Sequence, residues 1–86
     1  METPPLRRTA VAAEVRAELA AQGKTHVELA QATGISVTTL RRRLNGSKPF
    51  YVEELGSVCR FFGLTIDSLM SRVGQRQVSP LEVSNV

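Results

Sequence analysis

At 86 residues the chain has room for one hydrophobic core, and its 42% hydrophobic and 22% charged residues set it apart from disordered polymers. It contains no apolar run near the roughly 20 residues of a membrane span, and Met1-Glu-Thr-Pro-Pro-Leu-Arg-Arg lacks an apolar signal stretch, so a cytoplasmic protein is expected. The net charge is +3, and the segment from Thr25 to Phe50 carries all of it: Arg41, Arg42, Arg43 and Lys48 stand there against Glu28 alone.

In chain order, residues 1–8 contain two prolines and read as a flexible arm, with Arg7 and Arg8 available to reach along a polyanion. Val11, Val15 and Leu19 then recur at i, i+4 and i+8, which predicts helix from about Thr9 to Gln22, ended by Gly23. Thr25-His-Val-Glu28 has the form of a capping box, so a second helix is expected to start at His26. It should stop by Thr33, because Gly34 supplies the positive φ of a tight turn and Ser36 the next N-cap; a third helix follows to about Leu44.

Asn45-Gly-Ser-Lys-Pro49 is a loop, since Pro49 opposes helix at Lys48. Val52, Leu55, Cys59 and Phe62 mark the expected buried stripe of a fourth helix, ended by Gly63, with Phe61 partly exposed. Thr65 should cap a short fifth helix with Ile66, Leu69 and Met70 inward. From Val73 on, Gly74 and Pro80 argue against helix, and residues 73–86 read as a disordered tail or a short dimerisation strand. The fold class is therefore all-α, with a single domain over residues 9–72.

Two short helices joined by a glycine-containing turn have helix-turn-helix geometry, whose second helix enters the major groove of DNA. Thr25-His-Val-Glu-Leu-Ala-Gln-Ala-Thr-Gly-Ile-Ser-Val-Thr-Thr-Leu, the later Asn45-Gly46 and Phe62-Gly-Leu-Thr-Ile-Asp-Ser-Leu together resemble the Cro and phage-repressor (lambda repressor-like, XRE-type) helix-turn-helix family, over about Val11 to Ser71. The resemblance implies a five-helix bundle that acts as a homodimer, formed in solution or only on DNA, on a near-palindromic operator in a bacterial cell or phage-infected host. It assigns base reading to Val37, Thr38 and Arg42. The chain departs from that family at Arg43 and Leu44, where apolar and polar characters are exchanged.

Helical geometry supplies a separate reading of the same positions. At about 100° per residue with Val37 at zero, Leu40 and Leu44 fall together at about 300° and 340°. Thr38 at about 100° and Arg42 at about 140° point away from them, with Arg41 at about 40° beside these and Arg43 at about 240° on the far shoulder. An arginine can donate two hydrogen bonds to guanine O6 and N7, whereas Thr38 and Val37 can meet a thymine methyl; Arg41 joins them as a base-reading candidate. Thr25, His26, Ser36, Thr39, Arg43, Asn45 and Lys48 are expected at phosphates, from side chains and from amides at helix starts.

One cysteine and one histidine exclude an all-Cys/His structural zinc site, and the chain lacks a Gly-rich phosphate loop or a nucleophile-base pair. The reading is a sequence-specific regulator that is not an enzyme and needs no cofactor, metal, membrane or small-molecule ligand. An antitoxin-type autoregulator and a protein-interaction module without DNA readout are the alternatives.

Overall fold

The computed structural model describes residues 4–77, with side chains over 9–75. The described chain forms five helices: α1 Pro4–Gln22, α2 His26–Thr33, α3 Val37–Leu44, α4 Val52–Phe62 and α5 Ile66–Gln77. α1 packs against α3 and α5, α2 against α3 and α4, and α4 against α5. Each helix contributes to the centre: Val15, Leu29, Leu40, Val58 and Leu69, one from each of the five, are completely buried. This arrangement is the all-α five-helix bundle expected from the sequence.

The connections follow local chemistry. Gly23, at φ +66, ends α1, and the Lys24 amide donates to Leu19 O at 2.9 Å. The capping box is complete: Glu28 N donates to Thr25 Oγ1 at 3.1 Å and Thr25 N to Glu28 Oε1 at 2.8 Å. Gly34 closes α2 at φ +78, its amide donating to Ala30 O at 2.9 Å. Thr33 occupies the polar position before that turn and is satisfied within it. Its hydroxyl donates to Leu29 O at 2.8 Å and accepts from Ile35 N at 3.4 Å.

Three expectations are corrected. α1 starts at Pro4 instead of Thr9, because the first turn of a helix has no use for the amide that proline lacks. In α4, Val58 takes the buried place assigned to Val52, which is 81% exposed. The apolar stripe is thus Leu55, Val58, Cys59 and Phe62, and the first turn overhangs the core. Finally, α5 runs through Val73 and Gly74 to Gln77, and Ile66 lies on its exposed side. Val73 is fully buried, and burying a valine gains about 1.5–3 kcal/mol against about 1 kcal/mol for glycine within a helix. The tail beyond Gln77 and the side chains of Arg7 and Arg8 lie outside the described residues.

A polar seam holds α5 on α1. Arg72 Nη1 donates to Glu18 Oε1 at 2.7 Å and stands 3.6 Å from Glu14 Oε2, while Gln22 Nε2 donates to Glu18 at 2.7 Å and to Phe62 O at 3.0 Å. The hydrogen bond from Gln22, with the hydrogen bond and positive charge of Arg72, holds the Glu18 carboxyl below its usual value.

Candidate nucleic-acid interface

The site begins with the way α3 is seated. Leu40 and Leu44 are buried to within 2% of their surface, so the opposite side of the helix must face outward. Ser36, Thr38, Arg41 and Arg42 are exposed there, and Val37 and Thr39 are half-buried at its edge. Ser36 Oγ accepts from Thr39 N at 3.2 Å, fixing the first turn. That turn carries no acidic residue, whereas the start of α2 carries Glu28. The partial positive charge of the α3 N-terminus therefore meets no acidic side chain in its own first turn, whereas that of α2 is partly answered by Glu28.

At the other end of α3 the backbone turns back sharply. The Asn45 amide donates to Arg41 O at 3.0 Å, and Ser47 N and Lys48 N both donate to Arg42 O, at 3.1 and 3.2 Å. Asn45 Oδ1 accepts from Ser47 N at 2.8 Å, leaving its side-chain NH2 to donate outward. His26, exposed at the start of α2, lines an open cleft with Arg41, Leu44, Asn45 and Arg16 of α1. Lys48 is exposed in the adjoining loop. The fold thus brings His26 of α2 beside Arg41 and Asn45 at the end of α3, and adds a cation from a third helix.

The model of the BetR domain matches residues 7–86. The chain belongs to the BetR domain family. Its fold is shared with two crystal structures of the clp gene regulator ClgR from Corynebacterium glutamicum. One has a TM-score of 0.80 at 27% identity, covering 92% of this chain and 87% of that one. The other has a TM-score of 0.76 at 30% identity, covering 81% and 91%. No curated protein sequence matches the chain.

In this BetR domain two site residues stand apart from the sequence reading. Arg43, assigned above to a phosphate, is turned inward instead. Its Nε donates to Glu54 Oε1 at 3.0 Å and its Nη2 to Glu54 Oε2 at 3.2 Å, and its guanidinium lies 5.0 Å from the centre of the Tyr51 ring. The two paired side chains keep only 11% and 18% of their surface exposed. The Arg43 hydrogen bonds, with the one from Tyr51 N, hold the Glu54 carboxyl below its usual value, and Glu54 in turn holds Arg43 more firmly protonated.

Arg16 is the residue that sequence reasoning missed. It is exposed on α1 and its Nη1 donates to Leu44 O, so it answers the carbonyl end of α3 while facing the cleft. No local signal marks it, because its role exists only once α1 is laid across α3. Among the described residues no cluster of His, Cys, Asp or Glu could hold a metal ion, and no helix is long and apolar enough to cross a membrane. Burial raises the Cys59 thiol pKa, in keeping with a small core residue.

Proposed function

We propose that this BetR domain is a sequence-specific DNA-binding regulator of transcription that lays α3 into the major groove. The observation that carries the reading is the outward row of Thr38, Arg41 and Arg42 on a helix whose other side is locked into the core by Leu40 and Leu44. The row is flanked by donors suited to phosphates: the α3 N-terminus, the cleft of Arg16, His26, Arg41 and Asn45, and Lys48. The description of the similar ClgR structures as a gene regulator supports the same role here.

On this reading Arg42 donates to a guanine edge, Thr38 and Val37 meet a neighbouring base, and Arg41 divides between base and backbone. Regulation works by occupancy, in the manner of a Cro or phage repressor, with no catalytic step. Two copies on a near-palindromic operator place two α3 helices in successive major grooves, about 34–36 Å apart. A pair of substitutions tests the roles. Arg42→Ala should relax preference at one base pair per half-site, while Lys48→Ala should weaken binding to every duplex alike and lower the salt slope by about one unit. Equal losses on all duplexes from both variants would overturn the assignment of base readers.

A further inference from the structure

Arg41, Arg42 and Arg43 are consecutive, yet only the first two are exposed. The third is held at three points, all on the start of α4. Both carboxylate oxygens of Glu54 accept from it, and the Tyr51 ring lies beneath its guanidinium. Glu54 is itself fixed by the α4 backbone, since Oε1 also accepts from Tyr51 N at 2.9 Å. This carboxylate therefore has two functions, capping α4 and holding a cation of α3 eleven residues back in the chain. A conventional N-cap box needs only the first, and a glutamine serves it as well.

We propose that Glu54 is a specificity-determining residue: by holding Arg43 in a bidentate pair against Tyr51, it keeps the third cation of the triplet off the DNA backbone and fixes the C-terminal end of α3. This inference rests on α3 being the recognition helix. Its physical basis is the difference between two kinds of complex. A complex with arbitrary sequence is held by phosphate contacts and can shift to satisfy any cation presented to it. An operator complex is held in register by base contacts, so an added cation on the shoulder of α3 gains less there. A released Arg43 would strengthen the wrong complexes more than the right one. A paired Arg43 brings no net charge to the interface, and its bidentate geometry ties α3 to α4 beside Arg42.

The test uses the full chain, an operator duplex from sequence selection and a scrambled duplex of equal length, titrated across a range of KCl concentrations. E54Q preserves the helix-capping oxygen and removes the charge; R43M removes the cation and keeps the stem. E54Q should tighten the scrambled duplex about 5-fold at 0.1 M salt and steepen its salt slope by about one unit. Operator binding should change less than 2-fold, so discrimination falls. The R43M/E54Q double variant, which removes the cation without baring the Glu54 carboxylate, should keep the scrambled-duplex slope at its wild-type value. It decides the matter even if E54Q alone fails to melt cooperatively: loss of a unit of slope in the double variant would show that Arg43 already touches phosphate and would overturn the proposal. An E54Q variant that folds with an unchanged slope overturns it as well. A wild-type chain that discriminates while the variants fail these expectations refutes this inference alone, whereas a wild-type chain with no preference among duplexes refutes the recognition-helix reading beneath it.

Discussion

Gly34 and Gly56 predict opposite results from the same substitution. At Gly34, a Cβ would meet nothing within 4 Å, so Gly34→Ala carries no steric component. What remains is the backbone: φ +78 costs an L-residue about 1–2 kcal/mol. Stiffening the unfolded chain returns about 0.4–1 kcal/mol, leaving a net loss of about 1 kcal/mol. At Gly56, inside α4, a Cβ would have only Arg60 Nη1 near it, at an ordinary 3.9 Å, and the helix gains about 0.5–1 kcal/mol from alanine. For a domain of this size 1 kcal/mol moves Tm by about 4–8 °C. Thermal melting by circular dichroism should therefore show Gly34→Ala lower than the parent and Gly56→Ala higher. A Gly34→Ala variant as stable as its parent would refute the left-handed turn between α2 and α3, and with it the seating of α3.

Other expectations follow from the same contacts. Thr25→Ala removes the hydroxyl that accepts from Glu28 N and should cost about 1 kcal/mol in urea unfolding, with the m-value unchanged; no loss would mean that the box does not hold α2. Glu18 and Glu54 have folded-state pKa values below the ordinary 4.5, so their stabilisation is complete above that value and is lost as pH falls through the lowered ones. Unfolding midpoints should decline below about pH 4.5, and less steeply in Glu54→Gln; identical acid profiles would contradict the Arg43 pair. The Cys59 thiol should resist alkylation in the native protein and react on unfolding, and rapid native labelling would contradict its burial.

The paired helices were legible because their signals are local. Thr25 with Glu28, Gly34, and Ser36 before Thr39 each act within four residues, so sequence alone places both ends of α2 and the start of α3. The outward positions of Thr38 and Arg42 follow from helical angle once Leu40 and Leu44 are recognised as core, whereas Arg41, about 60° from Leu44, is exposed at the edge of the cleft that the two share. Periodicity was weaker in α4, where Val52 and Val58 both continue a plausible stripe. Only the position of α2 against α4 shows that the first turn of α4 overhangs solvent. Glycine misled the reading of α5, since its local cost is smaller than the burial of Val73 against the rest of the core.

Arg43 and Arg16 were illegible for a different reason. Each is defined by a partner on another helix: Glu54 at the start of α4 for the first and the carbonyl of Leu44 at the end of α3 for the second. A run of three arginines gives no sign that one is paired inward. The useful hint was the departure from the family pattern at Arg43 and Leu44. Leu44 is buried where the helical angle put it, and Arg43 occupies the shoulder that faces α4.

The central claim, that α3 reads DNA sequence, is tested most directly by selecting bound duplexes from a random pool at about 150 mM salt, with Arg42→Ala selected in parallel. The account predicts enrichment of two inverted half-sites about one helical turn apart, with one position per half-site lost in the variant. A pool that emerges unenriched would contradict it and point to a protein partner for the basic face.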